Sequence, residues 1–160
     1  MVKFTSREKQ LKGMNDMIAE SQKIDKMCSF YVSDFHLEMI LVPYINKKID
    51  EKEEVKIITE KNLGESIKVL ISKMNLEKER KQEILNLGWN KQDEPITEKS
   101  SLIIIGSEEY IRQKNKEIEQ KNLSNLSVVD CYNFDEIKGD INNIINKYDK
   151  SLNTLGYNKF

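Results

Sequence analysis

Absences bound this sequence before any pattern in it is considered. In 160 residues there are one histidine, two cysteines, two prolines and a single alanine, Ala19. One His with two dispersed Cys does not supply the ligands of a tetrahedral zinc site, so no metal is expected. The longest apolar runs, such as Met39-Ile40-Leu41-Val42-Pro43-Tyr44-Ile45, are far too short to span a bilayer, and no membrane partner is expected. An excess of charge is missing too. The 26 Lys+Arg and 27 Asp+Glu leave a formal net charge of -1, which gives no electrostatic footprint for nucleic acid. The phosphate loop G-x-x-x-x-G-K-[ST] and the dinucleotide fingerprint G-x-G-x-x-G are absent, and no cofactor is expected. The segment Met1 to Glu8 leads into charged residues and not into the apolar stretch of a signal peptide. The chain reads as soluble and cytoplasmic.

What is present suits one folded domain. The length can bury a sizeable core, and 38% hydrophobic with 33% charged residues lies outside the disordered class. Twenty Ile, twenty-three Lys and fifteen Asn form a compositional bias that leaves individual surface Lys and Asn residues with little functional meaning. Cys28 and Cys131 each sit in an apolar segment and read as reduced core cysteines.

Four short β-branched or aromatic runs alternate with helical patterns. The strands read 27–32, 55–59, 101–105 and 126–132, and the third is apolar on both faces, as a buried parallel strand requires. Ser33 or Asp34 caps a helix carrying Leu37, Ile40, Leu41, Tyr44, Ile45 and Ile49, with Pro43 expected to kink it. Asn62 with Glu65 suggests a capping box for the next helix. Ser107 opens another with Tyr110, Ile111 and Ile118. Asn133 with Glu136 opens a last helix, whose stripe runs through Ile137, Ile141, Ile144, Ile145, Tyr148 and Leu152.

This alternation predicts a three-layer α/β domain, with a mainly parallel sheet of four to five strands flanked by helices. An N-terminal helix over 6–26, striped by Leu11, Met14, Met17, Ile18 and Ile24, precedes it. The predicted organisation is therefore an N-terminal helix in 1–26 and a single α/β domain in 27–160. Within 76–100, Glu77 to Asn86 reads as a helix, with Ile84 to Trp89 as an alternative edge strand. Lys91 to Ser100 reads as a polar loop able to serve as a lid.

In parallel α/β sheets ligands bind beyond the carboxyl ends of the strands. That rule selects Ser33, Asp34 and His36 after the first strand, Thr59, Glu60 and Lys61 after the second, Gly106, Ser107 and Glu108 after the third, and Asp130, Tyr132 and Asn133 at the fourth. The turn Val32-Ser33-Asp34-Phe35-His36 lacks glycine and puts a carboxylate where a phosphate would sit, which excludes nucleotide hydrolysis of the phosphate-loop kind. No catalytic residue is assigned. His36 reads either as a ligand contact or base or as an ordinary surface histidine, and Asp34 either as a cap or as a working carboxylate.

Phe30-Tyr31-Val32-Ser33, Leu41-Val42-Pro43-Tyr44-Ile45 and Val55-Lys56-Ile57-Ile58-Thr59 resemble the MEDS domain, the methanogen/methylotroph sensory domain. The resemblance is clearest over 27–60 and extends to about residue 135. It implies a degenerate RecA/KaiC-like fold without the phosphate loop, used for sensing small organic molecules in regulatory proteins. The expected function is a non-enzymatic sensory module that binds a small organic ligand at the strand ends and signals through a protein partner or a homodimer. Two alternatives stand beside it: a dimerisation module with no ligand, and a small hydrolase or transferase using Asp34 and His36. The apolar tail residues Leu155, Tyr157 and Phe160 join the N-terminal helix as candidate contact surface.

Overall fold

The computed structural model describes residues 24–90 and 95–160. Strand β1 (Ile24–Tyr31) leads into α1 (Asp34–Asp50), β2 (Glu54–Thr59), α2 (Gly64–Lys73) and α3 (Lys78–Leu85). Then come β3 (Ser100–Gly106), α4 (Glu108–Gln120), β4 (Leu126–Asn133), a short α5 (Asn142–Ile145), β5 (Lys150–Asn153) and β6 (Gly156–Lys159). The fold is α/β, with one mainly parallel sheet flanked by helices, in the order β2-β3-β4-β1-β5-β6. All pairings among the first five strands are parallel and only β5–β6 is antiparallel.

Alternation along the strands builds two cores. Met27, Tyr31, Ile57, Ile103, Ile105, Val129 and Cys131 face α1, α2 and α3. Cys28, Leu102, Ile104, Val128 and Tyr132 face α4 and α5. Both cysteines are free and buried, one in each core. Burial pushes the Cys28 thiol up to about 12 and the Cys131 thiol well above its ordinary value, so both stay protonated and unreactive.

The sheet is wider than four to five strands because the C-terminal segment is not one long helix. Ile137 is extended, with ψ 127°, and Gly139 has φ +85°, a left-handed conformation that a helix interior does not accept. Helical structure is confined to Asn142–Ile145, and Leu152 lies in β5. The tail that carries Leu155, Tyr157 and Phe160 is a β-hairpin. Its turn is set by Gly156 at φ +109° and by the Asn153 side chain, which accepts from the Leu155 N–H at 2.8 Å.

Other elements differ from expectation in detail. Ile24, Asp25 and Lys26 belong to β1 and not to a preceding helix; the rest of that predicted helix lies outside the described residues. α1 continues through Pro43 to Asp50. α2 has no side-chain cap, and Asn62 instead accepts from the Gly64 N–H at 2.9 Å. Within 76–100 the helix reading holds as α3, which takes in Ile84 and Leu85, while Asn86 to Trp89 forms turns and no edge strand, with Leu87 N–H donating to the Ile84 carbonyl and Trp89 N–H to that of Leu87. Trp89 packs in the core and donates its Nε1–H to the Ile84 carbonyl at 2.7 Å. Part of the predicted lid, 91–94, lies outside the described residues.

Described residues on either side of 91–94 lie along the outer edge of β2. The helices α2 and α3 lie on one face of the sheet, yet Ile96 packs into the other core. Between them Gly88 crosses so close to the edge that a Cβ on it would sit 2.9 Å from the Ile57 carbonyl oxygen. Beyond the crossing the Pro95 carbonyl accepts from the ammonium of the buried Lys56. An edge strand covered in this way is closed to further pairing. Gly88→Ala forces a methyl against that carbonyl, and a loss of about 1–3 kcal/mol is expected, typical of overpacking. Urea unfolding should show a lower midpoint at unchanged slope; an unchanged midpoint would mean that the chain at this crossing yields freely.

Candidate functional site

The carboxyl end of the sheet is densely self-bonded. Ser33 caps α1 by accepting from the His36 N–H at 3.1 Å. His36 Nδ1 accepts from the Val32 N–H at 3.0 Å, so in the neutral ring the hydrogen sits on Nε2 and the lone pair that a base needs is occupied. Asp34 pairs with Lys61, whose ammonium also lies 4.9 Å from the Tyr31 ring centre. Burial works against the Lys61 charge, but Asp34 and Tyr31 outweigh it and hold the proton more firmly than usual. Thr59 Oγ1 bonds both the carbonyl and the N–H of Lys61, and Asn133 accepts from the Asp135 N–H at 3.1 Å.

Glu60 occupies the N-terminus of α4, where its Oε1 accepts from the Ser107 N–H at 2.9 Å. A chain carboxylate therefore takes the place that the helix dipole offers to an anion. Gly106 makes room for it, since a Cβ there would stand 2.6 Å from the Tyr110 ring and 3.0 Å from Glu60 Oε1. Ser107 caps the helix through the Tyr110 N–H, and Glu108 Oε1 accepts from the Lys138 N–H at 3.0 Å. The cavity at the ends of β3 and β4, bounded by Gly106, Ser107, Tyr132 and Asn133, measures about 10 Å³. That is barely room for one water.

Asp130 lies away from this rim, and Tyr132 reaches from it toward the same place. Both point from β4 into the core beneath α4 and α5, at the base of a pocket of about 280 Å³. Asp130 is sealed from solvent. Its carboxyl accepts from Asn115 Nδ2 at 3.1 and 3.2 Å and from the Tyr148 hydroxyl at 2.5 Å. The Tyr148 hydroxyl is in turn 2.7 Å from that of Tyr132. The rings of Phe30 and Tyr132 stack at 5.7 Å, and Tyr148 meets Tyr132 edge-on at 6.3 Å. Burial raises the Asp130 carboxyl, against the opposing pull of the Tyr148 and Asn115 hydrogen bonds and the Lys26 charge. Burial also raises both phenols, and Asp130 adds to the effect on each. The base of the pocket is a hydrogen-bonded network in which burial favours the neutral form of each titratable group, and none of them is an activated nucleophile.

The topology thus divides the sequence-selected residues. Ser33, Asp34, His36, Thr59, Glu60, Gly106, Ser107 and Asn133 sit at the strand ends, and Asp130 with Tyr132 serves the pocket. Asn115 and Lys26 were not selected, although Asn115 interrupts the Ile111–Ile118 stripe of α4, a readable signal of a buried polar contact. Glu38 was missed as well. It is fully buried on α1, accepts from the Ser66 hydroxyl at 2.8 Å through Oε1, leaves Oε2 unpartnered, and is pushed up by burial. Its signal was its place beside Leu37 and Leu41 on the apolar stripe.

Among the described residues no group of three or more His, Cys, Asp or Glu is placed to hold a metal ion. No helix among them is long and apolar enough to cross a membrane. No family model matches the chain, and neither a curated protein nor a solved structure is significantly similar to it.

The buried acid has a pH signature. Asp130 keeps its proton to higher pH in the folded chain than in the unfolded one, where the ordinary value is 3.8. Between the two values the unfolded state binds fewer protons, so this group's contribution makes stability fall as pH rises. Asp130→Asn cannot ionise and removes that fall. Urea midpoints of the variant, measured against the native chain, should shift in the variant's favour as pH is raised from 3.8. A difference that stays level would show Asp130 ionised where it lies.

Proposed function

We propose that this protein is a sensory or regulatory module that binds a small organic molecule in the pocket over β4 and passes the event to a protein partner. One observation carries the reading: a sealed carboxyl, two phenols and an amide converge beneath an open pocket of about 280 Å³. Convergent polar groups set among apolar walls, here Ile111 and Ile144, are the usual composition of a small-ligand site. Burial that favours the neutral forms of these groups suits recognition better than nucleophilic chemistry. The likeness of residues 27–60 to the MEDS domain favours the same class, and a cytoplasmic setting suits the protonated, unpaired cysteines.

A route outward from the pocket exists in the chain itself. The segment 134–141 joins Tyr132 and the pocket wall at α5 to Phe134, which is 51% exposed. Val32 and Phe35, 57% and 60% exposed, follow the neighbouring strand β1. These exposed apolar side chains, at the ends of the paired strands β1 and β4, are the ones offered to a partner or a second copy. Glu108 anchors the same segment through the Lys138 N–H, so movement of α4 on ligand binding is transmitted to it.

Native mass spectrometry of the chain purified without added ligand tests the pocket. A small-molecule excess mass is expected in the native chain, and its loss in Asn115→Leu, provided that variant still melts cooperatively. A bare mass for the native chain, together with a melting temperature unmoved by the low-molecular-weight filtrate of a cell lysate, would overturn the ligand reading and leave an interaction module.

A further inference from the structure

Resting on the reading of the pocket over β4 as a ligand site, we infer that its ligand is a small organic acid with a hydroxyl at the opposite end. The carboxylate is held at the mouth by Lys116 and Lys147, and the hydroxyl meets Asn115 and Tyr148 at the base.

The mouth carries Lys26, Arg112, Lys116 and Lys147 against Glu108 and Glu119. Several of these charges are already engaged. Arg112 pairs with Glu109 at 2.8 Å, Lys26 lies 3.9 Å from Glu119, and Glu108 is bonded to the Lys138 N–H. Lys116 and Lys147 form no ion pair among the described residues. Two unengaged ammonium groups at the mouth of one pocket favour an anion. The base does not oppose it, since Asp130 is sealed behind Asn115 and Tyr148 and burial holds its carboxyl toward the neutral form.

The type of anion follows from the donors. A phosphate is best gripped by a bidentate guanidinium or by the N–H groups of a helix terminus. Here the guanidinium is taken by Glu109 and the α4 terminus by Glu60. Lysines acting as point charges are sufficient for a carboxylate. At the base, Asn115 Oδ1 is buried without a hydrogen-bond partner, an acceptor that the chain leaves unfilled and that a hydroxyl donor satisfies. Ile111, Ile144 and the Tyr132 ring supply apolar walls for the body between the two ends. A volume of about 280 Å³ lies at the small end of the range for ligand sites.

The test uses three probes of one shape, 4-hydroxybenzoate, 4-hydroxybenzamide and tyramine, titrated calorimetrically into the full chain. The acid should bind about tenfold more tightly than the neutral amide, as two partly exposed charge contacts allow, and tyramine more weakly still. Lys116→Gln with Lys147→Gln should erase the preference for the acid while leaving amide binding unchanged. Equal or tighter binding of the amide or of tyramine would overturn the acid while leaving the pocket standing. A preference for the acid that survives the double substitution would overturn the mouth lysines as its anchor. Binding of none of the three would overturn the inference, and the native mass of the purified chain then decides separately whether the pocket is a site at all.

Discussion

The sheet is covered on both faces at its centre, and that coverage governs what the interior can contain. β3 is buried from Ser100 to Ile105, and β4 and β1 beside it carry fully buried positions on both sides. A polar group on such a strand must find its partner within the protein, because an unmet one costs about 1–3 kcal/mol. Ser29 therefore donates to the Leu152 carbonyl at 2.9 Å, and Ser101 to Glu53 at 2.6 Å. Asp130 gathers Asn115 and Tyr148 for the same reason. The proposed ligand site grows out of this constraint, since the groups that satisfy Asp130 are the ones a ligand would meet.

The strand ends resolve their charges differently. Two carboxylates there take partners from another segment: Asp34 has Lys61, and Glu60 has the backbone of Ser107. These contacts bind the loop after β2 to the ends of β1 and β3, although β3 and β4 separate β1 from β2 in the sheet. Charges bonded in this way hold the fold's upper rim in register and leave little room between them, whereas the pocket beneath α4 keeps both its space and its uncommitted lysines.

The four central strands and most helices were legible because apolar periodicity is a local property. Ile103, Ile104 and Ile105 announce a strand buried on both sides, and Ser107 announces the helix it caps. The C-terminal third was not legible from periodicity, since Ile137, Ile141, Ile144 and Ile145 repeat at helical spacing. The interruption begins at the extended Ile137 and passes through the left-handed Gly139, and the hairpin beyond it is short enough to hide in a polar tail. Of the site, Asp130 and Tyr132 were visible as residue types at the carboxyl half of β4, but not as side chains on the face that α4 and α5 cover. Whether a strand residue lies at the rim or under a helix depends on where pairing stops, and pairing is not written in one segment. Lys26, Asn115 and Tyr148 reach the pocket from three separate elements, a convergence that only the assembled sheet creates.

The place of β1 has a consequence for the order in which the chain assembles. The first described strand is a central one, paired with β4 on one side and β5 on the other, and its residue Ile24 stands opposite Leu126. Both described neighbours of β1 lie far downstream, so during synthesis those two edges stay unpaired until β4 and β5 have emerged, while β2 and β3 can already join each other. Contacts this distant in sequence slow folding and lengthen the time that open strand edges are exposed to other chains. The sheet therefore closes around its first described strand only once β4 and β5 are available.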